Sequence, residues 1–130
     1  MINYDDFAKV EIKAGKILSV EKIPDSEKLL KLMVDFGQLK PSLEDGSPDH
    51  LPEANDLGKN DIRQIVSGIS KFFSDEQTLV GKKCMFVTNL EPRKLMGYES
   101  NGMLFAVSTD EGAFSLLEVG EDIPPGTKAK

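Results

Sequence analysis

A chain of 130 residues and 14.3 kDa is the size of one domain, large enough to bury a core without disulfides or metals to staple it. Hydrophobic residues make up 39% and charged residues 29%, which is ordinary for a globular protein, and no apolar run approaches the ~18 residues of a bilayer-spanning helix. The formal net charge of −6 disfavours a protein that binds nucleic acid strongly and indiscriminately, because such binding is driven by Lys and Arg displacing counterions from phosphate.

The first six residues, Met1 to Asp6, carry neither a basic segment nor a cleavable apolar stretch, so no export signal is read and a cytoplasmic protein is expected. Asn3 or Asp5 can cap a short turn that Phe7 would anchor. Val10, Ile12 and Ala14 alternate with Glu11, Lys13 and Gly15, the period-two pattern of a strand with one buried face. The alternation breaks at Ile17-Leu18 and resumes at Val20, which predicts a bulge or bend at Gly15. A long, bent first strand is what a small closed barrel requires, since it must pair on both sides. After the turn Pro24-Asp25-Ser26, a second strand alternates Leu30, Leu32, Val34 and Phe36 with Lys31, Met33 and Asp35, and Gly37 ends it.

From about 38 to 61 the chain carries Pro41, Pro48, Pro52 and a local charge of −4, the composition of a long solvated loop inserted in a single domain of residues 1–130. His50 lies there without a second histidine or a cysteine nearby and is not read as a metal ligand. A third strand follows at Ile65–Ile69. Ser74 with Gln77 fits a capping box, and Gly81 fits the residue past a helix end, so a helix of about two turns is predicted between them. Lys83 to Thr88 and Met103 to Ser108 read as the fourth and fifth strands, Asp110-Glu111-Gly112 as a turn, and Ala113 to Val119 as a further strand. The order strand, strand, strand, helix, strand, strand predicts an all-β, five-stranded OB-fold barrel with a short helix between strands three and four and extra C-terminal strands. Cys84, the lone cysteine, reads as a small buried hydrophobe.

Between the fourth and fifth strands the chain turns polar. Pro92 restricts Glu91 to extended geometry, Gly97 and Gly102 permit unusual backbone conformations, and Arg93 and Lys94 are presented from a stiff connection. Residues 81 to 98 carry a local charge of +3 and residues 9 to 31 one of +2, so a modest basic face can exist on an acidic protein within a Debye length of ~8 Å. No catalytic constellation is present: there is no phosphate loop with its lysine, no Ser-His-Asp order and no metal-ligand spacing, so a binding protein with no cofactor is expected. Arg93 and Lys94 can contact phosphate oxygens, Asn89 and Ser100 a sugar hydroxyl or base edge, and Met103 a splayed base. The same residues also suit structural roles, Asn89 and Ser100 as turn caps, Met103 as core and the cations as a solvated tip.

The run from Asn89 to Met103, Asn-Leu-x-Pro-Arg-Lys-Leu-Met-Gly-x-x-Ser-x-Gly-Met, resembles the signature of the tRNA-binding domain family. That family includes the C-terminal appendage of bacterial methionyl-tRNA synthetases, free-standing tRNA-binding proteins and the C-terminal modules of eukaryotic synthetase-associated factors. Asp6 to Ile17, Ser26 to Leu32 and Arg63 to Ile69 are similar to it as well, and the likeness spans nearly the whole chain outside residues 38 to 61. The resemblance implies an OB barrel with extra C-terminal strands and a tRNA-binding face at Asn89, Arg93, Lys94, Ser100 and Met103, with Lys28 and Arg63 added from the other segments. It implies a module adding sequence-tolerant affinity for the tRNA elbow, acting with a methionyl-tRNA synthetase catalytic region, and a homodimer to which the apolar stretch Phe114 to Val119 contributes. The alternative it carries is a dimeric, export-associated chaperone that binds unfolded peptides. The acidic insertion is longer than the family usually has. Phe72 and Phe73 are read as core or dimer-interface residues, and the scarcity of aromatic platforms fits recognition of folded tRNA by shape.

Overall fold

The computed structural model describes residues 1–38 and 59–130; the acidic stretch and His50 fall almost wholly outside the described residues. Five antiparallel strands form one curled sheet in the order β3-β2-β1-β4-β7: β1 Ile12–Lys22, β2 Leu30–Gln38, β3 Asn60–Ser67, β4 Lys83–Val87 and β7 Met103–Leu104. Two small ribbons are added to it, β5 Arg93–Leu95 with β6 Tyr98–Ser100, and β8 Ala106–Ser108 with β9 Phe114–Leu116. The curl brings the sheet edges together: Asn101 N–H donates to the Gln64 carbonyl at 2.9 Å, and the Gly102 backbone passes so close that a Cβ there would lie 3.1 Å from Ile65 Cδ1. This is the OB-type barrel that the alternation predicts.

β1 serves both sides. Ile12–Lys16 pair with β4 and Lys16–Lys22 with β2. The irregularity lies between Ile17 and Ser19, so Leu18 and not Gly15 is the bulged residue. Gly15 has a different reason to be glycine: a Cβ there would stand 2.6 Å from Phe36 Cε1, 2.6 Å from Val34 Cγ1 and 3.0 Å from Phe86 Cδ1, with no space inside the wall. The alternating residues Leu30, Leu32, Val34 and Phe36 all face inward and join Ile17, Val20, Ile65, Ile69, Leu79, Cys84, Phe86, Leu104 and Leu116 in one core. Phe36 and Phe86 meet edge to face at 5.3 Å.

The predicted two-turn helix is replaced by two 3-10 turns, Ser70–Phe72 and Glu76–Leu79. Asp75, not Ser74, supplies the cap by accepting from Gln77 N–H at 3.0 Å. The segment is too short for α-helical turns because Leu79, fully buried, must drop into the barrel mouth while Gly81, at φ +90°, already turns toward β4. The predicted fifth strand is broken at Phe105 into β7 and β8, and the C-terminal strand is shorter than the sequence suggests. Beyond β9 the chain still runs along β4, with Met85 N–H donating to Leu117 O and Val119 N–H to Lys83 O. The final residues return to the free edge of β1, where Ala14 N–H donates to Thr127 O, Gly126 N–H to Ala14 O and Ala129 N–H to Ile12 O. Gly126 (φ +91°) and Gly37 (φ +84°) face each other at this crossing; a Cβ on Gly37 would run into the Pro125 carbonyl and one on Gly126 into the Phe36 carbonyl, so neither tolerates one. Among the described residues no helix is long and apolar enough to cross a membrane.

Candidate nucleic-acid interface

The connection from β4 to β7 is a hairpin. Arg93 pairs with Ser100, Lys94 with Glu99 and Leu95 with Tyr98, around a two-residue turn, Met96-Gly97, in which both residues have positive φ (50° and 83°). That is type I′ geometry, whose twist matches the flanking strands. Alternation along the ribbon puts Arg93, Leu95, Tyr98 and Ser100 on one face and Lys94 and Glu99 on the other; Ser100 on the first face is buried against the barrel and Leu95 and Tyr98 are half-buried, while Arg93, at the start of the ribbon, is exposed. Ser100, 5% exposed, is the rivet: its hydroxyl accepts from Val66 N–H at 3.0 Å and donates to Gly102 O at 3.0 Å. Gln64 Nε2 adds a bond to Glu99 O at 2.9 Å.

Asn89, at the hairpin base, is likewise committed inside the molecule. Its Oδ1 accepts from Glu11 N–H at 2.7 Å and its Nδ2 donates to Lys9 O at 2.6 Å, tying the N-terminal segment behind α1 (Tyr4–Ala8) to the end of β4. Next to it Thr88 Oγ1 donates to Glu11 Oε1 at 2.6 Å, and Lys13 Nζ lies 3.4 Å from the same carboxylate. Arg63 completes this polar plug at the barrel end. Its guanidinium holds Asp61 through Nε and Nη2 (3.0 to 3.2 Å), donates from Nη1 to Thr88 O at 2.6 Å and Asn101 O at 3.3 Å, and stands 5.4 Å from the Phe36 ring centroid. With its side chain only 18% exposed, Arg63 braces the strands that carry the hairpin.

The remaining candidates face outward. Arg93 and Lys94 are exposed and make no hydrogen bond or ion pair with the described residues. Met103 is 45% exposed on β7, opposite Val87. Lys28 is exposed in the β1–β2 connection, whose shape is set by Ser26 Oγ accepting from Lys28 and Leu29 N–H and by Ser70 N–H donating to Lys28 O. The seven candidates therefore divide into three internal braces, Arg63, Asn89 and Ser100, and four exposed side chains, Lys28, Arg93, Lys94 and Met103. Sequence reading misses Lys31 and Tyr98, which meet with the Lys31 ammonium 5.7 Å from the ring centroid and so join β2 to the hairpin. Phe72 and Phe73 take no part: Phe72 stacks on Phe114 at 4.1 Å, and Phe73 meets the same ring edge-on at 5.7 Å. Among the described residues no group of three or more His, Cys, Asp or Glu could hold a metal ion.

A small OB-type barrel that props a cationic hairpin against its wall defines a nucleic-acid-binding module. Residues 53–128 match the family model described as "Putative tRNA binding domain". A crystallised MetRS-related protein from Pyrococcus horikoshii superposes with TM-score 0.77 at 34% identity, covering 100% of this chain and 98% of that one. The chain belongs to this family and is a tRNA-binding domain. It is also 43% identical over 130 residues to the methionine-tRNA ligase of Methanoregula boonei and 42% identical over 127 residues to that of Caldanaerobacter subterraneus, covering 100% and 98% of this chain. The chain spans 16% of the length of each of these two ligases. The chaperone CsaA of Bacillus anthracis, at 22% identity with TM-score 0.73 and coverage of 100% and 99%, shares the fold.

Proposed function

We propose that this chain serves a methionyl-tRNA synthetase, as part of it or beside it, by adding sequence-tolerant affinity for the elbow of folded tRNA while performing no catalysis itself. The observation that carries the reading is the pair of exposed cations, Arg93 and Lys94, unpartnered among the described residues, on a hairpin fixed to the barrel by other groups, the Ser100 hydroxyl and the Glu99 carbonyl. A phosphate can approach them without breaking an internal ion pair, so their attraction is not spent on competition. Lys28 and Met103 extend the contact surface, and Arg63, Asn89 and Ser100 hold it in shape. On this reading the protein works in the cytoplasm, where tRNA is.

Filter binding of bulk tRNA across a salt series tests it. Affinity should weaken as salt rises, and Arg93→Ala with Lys94→Ala should lower the slope of log K against log[salt] by about 2, one for each lost phosphate contact. No retention of tRNA at low salt removes the reading.

A second proposal is a homodimer. Phe72, stacked on Phe114, is 44% exposed, and Val107 and Leu117 on and beside the β8–β9 ribbon are 53% and 39% exposed. Val107 pairs with Ser115 and so lies on the ribbon face opposite Phe114 and Phe72; these exposed apolar side chains are suited to a second copy, and equally to an unfolded peptide if the chain acts as a chaperone. Sedimentation equilibrium decides the first. Suppression of client aggregation that competing tRNA does not relieve would favour the second.

A further inference from the structure

We propose that Tyr98 is a stacking platform for one unpaired nucleobase of the bound RNA, with Arg93 receiving a neighbouring phosphate. The inference rests on the tRNA reading above and deepens it. Aromatic rings elsewhere are used internally or lie apart from the basic hairpin. Phe36 and Phe86 fill the core, Phe72, Phe73 and Phe114 form their own cluster, Phe105 is half-buried between β7 and β8 outside the ribbon, and Tyr4 and Phe7 sit on α1. Tyr98 differs from them. It lies on β6, directly across from Leu95 and therefore on the same ribbon face as Arg93, about 7 Å further along the strand at ~3.3 Å per residue.

The ring is half-buried, and its hydroxyl makes no hydrogen bond to the described residues while no side-chain polar atom among them is buried without a partner, so the hydroxyl stands in solvent. Lys31 holds the ring in place by a cation–π contact at 5.7 Å, and the ammonium is itself anchored 3.0 Å from the Glu21 carboxylate. A ring already fixed by a cation loses little freedom when a base settles on it, and base–aromatic stacking does not depend on which base it is. Folded tRNA presents such bases in its loops and at its end, whereas a blunt RNA duplex presents none.

The experiment compares Tyr98→Leu, Tyr98→Phe and the unaltered protein, with matching circular dichroism, for binding to bulk tRNA and to a blunt 20-base-pair RNA duplex. Tyr98→Leu should raise the Kd for tRNA by about 5- to 150-fold with the salt slope unchanged, because a stacked base and not a phosphate is lost. Tyr98→Phe should bind tRNA as the unaltered protein does, and the duplex should not distinguish the three. If Tyr98→Leu binds tRNA normally, the stacking inference falls while the tRNA reading stands. Equal weakening by Tyr98→Phe would assign the contact to the hydroxyl, and equal weakening toward the duplex would assign it to a disturbed hairpin; either overturns the inference. Failure of the unaltered protein to bind tRNA at low salt removes both readings.

Discussion

Replacing Arg63 with methionine separates a brace from a ligand contact. The change keeps an unbranched apolar stem but removes every donor. It strips two backbone carbonyls, Thr88 O and Asn101 O, of their guanidinium bonds and leaves the Asp61 carboxylate without its fork. Thr88 is buried, so its carbonyl is poorly placed to recover water, and about 1–2 kcal/mol follows from that loss. Asp61, 19% exposed, recovers part of its solvation and adds roughly 1 kcal/mol after that discount. Together with the lost stacking on Phe36, the variant should be less stable by about 2–4 kcal/mol. In urea the midpoint should fall by about 1–2 M at unchanged m, since the same surface is exposed on unfolding. In tRNA binding below the unfolding transition, the salt slope should match that of the unaltered protein. A variant that keeps full stability but loses one unit of slope would refute the reasoning and make Arg63 a phosphate contact.

Gly15→Ala should destabilise the barrel by about 1–3 kcal/mol, because the added methyl meets Val34 and Phe36 at 2.6 Å and exceeds the ~0.5–1 kcal/mol that alanine gains over glycine in a strand. Val34→Ala placed in that background should cost less than it does alone, and two purely additive losses by chemical denaturation would contradict the clash. Cys84 is pushed up to about 11 by burial, then by the Glu118 carboxylate, against a partial offset from Lys82. A thiol whose folded value is raised favours the folded state below the unfolded value near 9.0, and this contribution is lost as pH climbs toward 11. The stability difference between the unaltered protein and Cys84→Ala, taken from urea titrations, should therefore shrink between pH 9 and pH 11; a constant difference would be the contrary result. Modification by a thiol reagent at neutral pH should wait for unfolding.

The barrel was legible wherever burial follows a strict alternation. Leu30 to Phe36 could be assigned to the inside because each neighbour in that run is polar or flexible and the curled sheet has one wet face. The 3-10 turns were not legible, since a capping pattern records which side chains can bond a backbone amide and not how many turns the space allows. The hairpin was harder still: Met96 at φ +50° gives no sign of a type I′ turn, which asparagine would have announced. The family resemblance marked Asn89, Arg63 and Ser100 as belonging to the site, yet the partners that make them braces lie far along the chain: Asn89 reaches 78 residues back to Glu11. Tyr98 stayed hidden because three residues of strand are too few to reveal a face. Most of the acidic stretch, and His50 within it, lie outside the described residues.

Because the ribbon is fastened through Ser100, Gln64 and main-chain groups, the residues at 93 and 94 contribute almost nothing to keeping the barrel shut. Selection for foldability and selection for grip on a ligand consequently act on different positions. If Arg93 and Lys94 contact tRNA as proposed, a lineage could strengthen, weaken or redirect its grip by exchanging two surface side chains in one or two steps, with no compensating change in the interior.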